Sequence, residues 1–160
     1  MTEQTSGSRP ELTVAIAAYN ERATIMQLLQ RVMAVPVTKQ IIVVDNCSTD
    51  GTRELLADVD DSVEVIYQPR NLGKGTSIRT AISHARGEYF IIQDADLEYE
   101  PEQYPRLLSY AREHDLDALY GSRVMEGRNT NYVGYYLGVQ ALTWMTNVLY
   151  RARLTDVATA

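Results

Sequence analysis

At 160 residues and 45% hydrophobic side chains, the chain is long enough to bury one sizeable core. A formal net charge of -6 excludes a general nucleic-acid binder and sets a problem for any phosphate-bearing ligand, which needs a metal or a local cation to approach. Cys47 is the single cysteine, so no internal disulfide forms, and the chain suits a reducing, cytoplasmic compartment. Residues 1–10 read as a flexible polar tail without the apolar run of a signal peptide, and residues 11–160 read as one domain. No run has the length and purity of a transmembrane helix, and neither repeats nor low-complexity segments are present.

The elements follow in order. Leu12 to Ala18 predicts a first strand. From Glu21 to Val35, apolar Ile25, Leu28, Leu29, Val32 and Met33 recur at helical spacing, with Asn20 placed to cap the helix. Gln40 to Asp45 is apolar on both sides, as a parallel strand covered by helices is. The cluster from Asn46 to Gly51 reads as turn and cap, leading into a helix through Leu55 and Leu56. Val63 to Tyr67 predicts a third strand, Asn71 to Gly75 a glycine-rich turn, and Thr76 to Ala85 a helix. A fourth strand starts at Tyr89. Glu102 to His114 predicts a helix behind Pro101, which suits a first helical turn, and Asp117 to Gly121 a fifth strand running into Ser122 and Arg123.

Strands alternating with helices imply right-handed crossovers and a mostly parallel α/β sheet, Rossmann-like, with helices on both faces. Ligands in such folds bind beyond the carboxyl ends of the strands. The chemically able residues cluster there: Tyr19, Asn20 and Glu21 after the first strand, Asp45 after the second, Asp94 to Glu98 after the fourth, Arg123 after the fifth.

The fourth strand ends abruptly in acid, at Asp94, Asp96, Glu98 and Glu100. On an extended chain Asp94 and Asp96 share one face, about 6.6 Å apart, so both carboxylates can converge on one divalent ion. Hard carboxylate oxygens suit magnesium or manganese, which keep positions open for water and substrate phosphate. An acidic turn at a strand end is the plain alternative for a bare Asp-x-Asp.

Together these segments make the chain resemble a family 2 glycosyltransferase of the GT-A fold, most similar to the dolichyl- and polyprenyl-phosphate sugar transferases. The likeness rests on Ala18-Tyr19-Asn20-Glu21, on Val44 to Thr52, on Asn71-Leu72-Gly73-Lys74-Gly75, on Gln93-Asp94-Ala95-Asp96-Leu97-Glu98 and on Gly121-Ser122-Arg123. The family usually has proline before the Ala-Tyr-Asn-Glu turn, where this chain has Ala17. The chain also stops within what looks like the family's acceptor-side Asp-x-x-Thr segment, Asp156 to Thr159, which suggests a longer protein.

The resemblance implies an enzyme that moves a sugar from a nucleoside-diphosphate sugar with inversion, a hexosyltransferase with magnesium or manganese as cofactor. It implies that Tyr19, Glu21 and Asp45 hold the nucleoside, with Ala18, Asn71, Lys74 and Ala95 also at the donor. Asp94 and Asp96 match the metal-binding, catalytic Asp-x-Asp pair, Glu98 falls where a third ligand comes, and Arg123 matches a phosphate-facing catalytic position. Bare alternatives stand beside these: an Asx-turn or helix cap for Asp45, a dipole-complementing first-turn glutamate for Glu21, a surface arginine for Arg123. The Asn71 to Gly75 turn resembles a phosphate cradle but lacks the full P-loop pattern.

The acceptor is the open half. A polyprenyl phosphate needs no strong general base, because its oxygen is already anionic; a sugar hydroxyl needs a carboxylate to take its proton. Tyr132 to Tyr150 has no charged residue, contains Trp144, and carries a narrow polar stripe of Gln140, Thr143 and Asn147, with Arg123, Arg128, Arg151 and Arg153 flanking it. That composition fits a helix lying on a membrane surface at its cytoplasmic face, with Arg128, Asp156 and Thr159 on the acceptor side. It equally fits a helix packed on the sheet or on the second subunit of a homodimer. The rival functions are transfer to a sugar hydroxyl of a polysaccharide or glycoconjugate, and a non-catalytic nucleotide-binding module. A nucleotidyltransferase fits less well, since no glycine-rich, basic loop follows the first strand.

Overall fold

The structure is a computed structural model and describes residues 9–121, 133–151, 154, 155 and 157, with the backbone alone for 133–137. It divides into two compact units, Met1–Tyr110 and Ala111–Ala160.

Four parallel strands form the sheet of the first unit: β1 (Leu12–Ala18), β2 (Lys39–Asp45), β3 (Val63–Tyr67) and β4 (Tyr89–Asp94), in the order β3-β2-β1-β4. The order reverses at β1, with β2 on one side and β4 on the other. That makes β1 the switch point, the place where such sheets open a crevice. The helices are α1 (Ile25–Ala34), α2 (Thr52–Ala57), α3 (Lys74–His84) and α4 (Tyr104–Glu113), the last entered through a 3-10 turn, Pro101–Gln103.

Side-chain alternation separates two apolar layers. Leu12, Val14 and Ile16 of β1 and Ile41 and Val43 of β2 pack with Ile25, Leu28, Leu29 and Val32 of α1 and Leu108 of α4. Ala15, Ile42 and Val44 face the other way, with Ala81 of α3, Ile66 and Phe90. Strands covered on both faces carry apolar residues on both sides, which is why residues 14–18 of β1 and 41–44 of β2 read as unbroken apolar runs. At the amino edge Gly87 N donates to Thr13 Oγ1 over 2.8 Å. A Cβ on Gly87 would come within 2.4 Å of Thr13 N, so only glycine lets β4 start this close to β1.

Three local expectations are corrected. The first helix begins at Ile25 and not at Glu21, because the chain first makes a tight turn in which Thr24 N and Ile25 N both reach Glu21 O. The turn keeps Asn20 at φ 59°, away from a capping geometry. Residues 117–121 are not a strand: among the described residues they pair with no ladder, and Leu119 and Tyr120 are exposed. A lone extended segment leaves its backbone groups to water, and without a sheet partner the apolar run is not enough. In the second unit α5 (Val133–Tyr150) is the predicted last helix.

Candidate functional site

The register sets the site. Ala17 of β1 lies opposite Asp94 of β4, and Ala18 lies opposite Asp45 of β2, so the carboxyl edge carries an acid on each side of two small residues. Beyond it, three loops turn through left-handed backbone at Asn20, Cys47 and Leu97, with φ of 59°, 65° and 66°. Non-glycine residues in that region hold local strain, and such strain gathers at functional loops.

The loop after β2 holds the loop after β1. Asn20 N donates to Ser48 Oγ, Thr49 N donates to Asn20 Oδ1, Glu21 N donates to Thr52 Oγ1, and Arg22 N donates to Asp50 Oδ2, all within 3.1 Å. Asn20 is therefore a bridge between loops and not a helix cap. The Thr52 hydroxyl, with backbone N–H groups of Arg22 and Thr52, holds the Asp50 carboxyl below the usual carboxylate range. Side chains that read as a turn-and-cap cluster thus fix the backbone that presents Tyr19 and Glu21.

Asp45 is fully buried. It accepts from Ser48 N through both carboxylate oxygens, and Arg53 Nε lies 3.1 Å from Oδ2. Its neighbour Asn46 spans to the glycine-rich turn: Asn46 Nδ2 donates to Asn71 Oδ1, and Leu72 N donates to Asn46 Oδ1. Gly73, at φ 81°, then starts α3, with Lys74 in its first turn. Lys74 Nζ lies 2.6 Å from Asp94 Oδ1, the carboxylate at the end of β4.

Asp94 is the last residue of β4, whereas Asp96 already stands in the following turn, so strand alternation does not set their spacing. Asp96 Oδ1 accepts from Glu98 N, an Asx-type turn. Beneath, buried Gln93 donates through Nε2 to Asp94 O and Tyr99 O, bracketing the acidic turn at both ends.

These segments enclose a cleft of about 350 Å³, lined by Ala17, Ala18, Tyr19 and Glu21, by Asn46, Asn71, Gly73, Lys74 and Ser77, and by Asp94, Ala95 and Asp96. Its size falls in the range of small-molecule sites. Of the residues singled out in the sequence, Ala18, Tyr19, Glu21, Asn71, Lys74, Asp94, Ala95 and Asp96 meet here; Asp45 and Glu98 are not among the lining. Arg123, Arg128, Asp156 and Thr159 lie outside the described residues. The sequence reading gave no site role to Ala17, Asn46 or Ser77, whereas Gly73 belongs to the turn read as resembling a phosphate cradle. Asn46 was signalled by its place just past a buried strand end, and Ser77 by its i+3 spacing from Lys74 on one helix face.

The donor set suits a hard divalent ion. Asp94 and Asp96 both reach the cleft, and among the described residues no three His, Cys, Asp or Glu side chains form a ready metal cage. Magnesium and manganese are commonly held by one or two carboxylates plus substrate phosphates, so two carboxylates in an open cleft fit that arrangement.

The glycosyl transferase family 2 profile matches residues 13–156. The chain belongs to glycosyl transferase family 2. Its α/β sheet, mostly parallel and flanked by helices, is the GT-A architecture, and the solved mannosyltransferase PcManGT of Pyrobaculum calidifontis, in complex with GDP-Man and Mn2+, superposes with a TM-score of 0.51. That pair is 31% identical, over 56% of this chain and 28% of the other. The low-salt glycan biosynthesis hexosyltransferase Agl6 of Haloferax volcanii is 32% identical over 92% of this family 2 chain and 36% of its own length. The undecaprenyl-phosphate 4-deoxy-4-formamido-L-arabinose transferase of Salmonella paratyphi A is 32% identical over 64% of this chain and 34% of its own. The chain spans about a third of the length of these curated relatives.

Proposed function

We propose that this family 2 chain is the donor-binding part of an inverting, metal-dependent glycosyltransferase that takes a nucleoside-diphosphate sugar and passes the sugar to a polyprenyl phosphate. One observation carries the donor half: Tyr19, Glu21, Lys74, Asp94 and Asp96, drawn from three separate strand ends, line a single cleft at the switch point of the sheet. The related mannosyltransferase complex with GDP-Man and Mn2+ supports the same ligand chemistry.

In this reading the half-exposed ring of Tyr19 offers a stacking face to the base, and Glu21 accepts from ribose hydroxyls or base N–H groups. Asp45 and Asn46 position those loops through their hydrogen bonds. Asp94 and Asp96 hold magnesium or manganese, which when bound supplies positive charge to the diphosphate as it leaves. Ala17 and Ala18 keep the floor of the cleft low, so that the sugar can lie over the end of β1. The acceptor oxygen then forms a bond to the anomeric carbon from the opposite side while the carbon–oxygen bond to the diphosphate breaks, and the nucleoside diphosphate departs with the electron pair.

The lipid acceptor is supported by the undecaprenyl-phosphate relative and by α5, whose Leu142, Trp144, Val148 and Leu149 are exposed. No helix among the described residues is long and apolar enough to cross a membrane, so the proposed contact is with the surface. Arg123 is proposed to meet phosphate, and Arg128, Asp156 and Thr159 to lie on the acceptor side. Calorimetric titration of the chain with UDP, GDP and TDP, with and without manganese, tests the donor half. Manganese-dependent binding of one of them is the expected result, and no binding of any would sink the proposal.

A further inference from the structure

The cleft has an unusual charge balance. Among the described residues, three carboxylates (Glu21, Asp94, Asp96) and one ammonium (Lys74) line it, a formal charge of -2. A nucleoside diphosphate adds more negative charge to that surface. Among the described residues of the lining Lys74 is the only basic one, and it is paired with Asp94, 2.6 Å away. The chain has two lysines, and the other, Lys39, donates to the carbonyl oxygens of Met33, Val35 and Val37 and ties α1 to β2. An ammonium at hydrogen-bond distance from Asp94 repels a divalent ion approaching the same carboxylate, so the two cations compete for it.

Building on the donor reading above, we infer that Lys74 is an exchangeable cation: it holds Asp94 until a divalent ion takes that carboxylate, and its released ammonium then serves the diphosphate. Several features make the exchange feasible. The Lys74 side chain is half exposed, with 54% of its surface open, and among the described residues its ammonium pairs with Asp94. Lys74 sits in the first turn of α3, where backbone N–H groups and the helix dipole also favour an anion, and Gly73 brings that backbone close to the cleft. Its pairing partner stands at the end of β4, on the other side of the same cleft. A four-carbon stem with a point charge can turn between the two without moving the backbone.

The consequence is coupling. A metal alone must break the Lys74–Asp94 pair, whereas a metal arriving with a diphosphate has the freed ammonium used at once. Each ligand should therefore strengthen the other by more than their direct attraction, and the excess belongs to Lys74. A lysine that merely lends fixed charge would change both affinities and leave the coupling untouched.

The test is a binding cycle on the full chain, with Mn2+ measured alone and in the presence of saturating UDP or GDP, for wild type, Lys74→Met and Lys74→Arg. Loss of a half-exposed ion pair should tighten Mn2+ alone about fivefold in Lys74→Met. Loss of the freed cation should weaken diphosphate binding about tenfold, so the factor by which nucleotide improves Mn2+ binding shrinks; Lys74→Arg should retain most of it. Unchanged or weaker Mn2+ binding by Lys74→Met overturns the inference, and so does an unchanged coupling factor. If wild type binds neither nucleotide with Mn2+, the donor reading falls, while the comparison of Mn2+ alone still decides whether Lys74 guards Asp94.

Discussion

The phenol of Tyr104 donates to Oε1 of Gln93 across 2.6 Å, with both side chains sealed from water at 2% exposure. This bond reaches from the first turn of α4 to the residue under the acidic turn. Gln93 in turn donates to Asp94 O and Tyr99 O, so a buried tyrosine indirectly fixes the spacing of Asp94 and Asp96.

Tyr104→Phe should leave Gln93 Oε1 buried without its donor and cost about 1–3 kcal/mol in urea unfolding. The variant also changes the response to alkali. Burial, above all, raises the Tyr104 phenol well beyond the ordinary tyrosine range, with Glu102 adding to it. A raised folded-state value means the folded chain keeps its proton where the unfolded chain releases it. Stability from this group is therefore complete below about pH 10 and declines as pH rises further. Wild type should lose stability steeply above that point, and Tyr104→Phe should lose less. Parallel alkaline slopes for the two would refute the assignment.

Gly87→Ala probes the opposite edge of the sheet. The new methyl would meet Thr13 N and the Leu12 carbonyl carbon at 2.4 and 2.6 Å, and these are backbone atoms that cannot swing aside. Relief requires sliding β4 off β1, so destabilisation of about 2–3 kcal/mol is expected by denaturant titration. A change below a few tenths would show that the β1–β4 start is looser than the register implies.

Asp96→Asn separates chemistry from fold. An asparagine Oδ1 can still accept from Glu98 N, so the turn survives and the thermal midpoint should not move. The lost negative charge should weaken manganese-dependent nucleotide binding by at least about tenfold. Equal affinity for the two proteins would remove Asp96 from the metal.

Much of this was legible in the sequence, for physical reasons that differ by element. β1 and β3 match their predicted bounds because apolar runs between polar turns have few other ways to be buried. The carboxyl-edge site was legible because crossover topology puts every strand end on one side. What stayed hidden is where loop side chains turn. Nothing in the spacing says that Asn20 bridges to Thr49, that Asp45 faces inward to Arg53, or that Lys74 spends its charge on Asp94. Those outcomes depend on loop-to-loop distances that only the assembled sheet defines. The fifth strand failed for a related reason: a local apolar run cannot report whether a partner edge is within reach.

α5 presents an inverted surface. Its polar stripe is turned toward the chain's own end: Asn147 exchanges two hydrogen bonds of 2.8 Å with the backbone of Leu154, and Val157 N donates to buried Thr143 Oγ1. Val139 is buried, but the apolar residues from Leu142 onward face outward, with Trp144 and Leu149 each 69% exposed and Tyr150 78%. Contiguous exposed apolar side chains of this size mark a surface meant to be covered. The exposed apolar side chains run from Leu142 to Tyr150, so lying flat this part of the helix offers an apolar strip to the acyl boundary of a bilayer. In flotation with vesicles containing anionic lipid, wild type should rise with the vesicles. A Trp144→Glu, Leu149→Glu double variant should stay at the bottom, and because both sites are exposed it should unfold at the same temperature as wild type. A wild type that never floats, or a variant that floats as well, would take α5 out of the acceptor half and leave its apolar strip to another chain or to another part of this one. A variant that melts early would show that Trp144 and Leu149 are covered in solution, which contradicts a membrane-facing surface just as firmly.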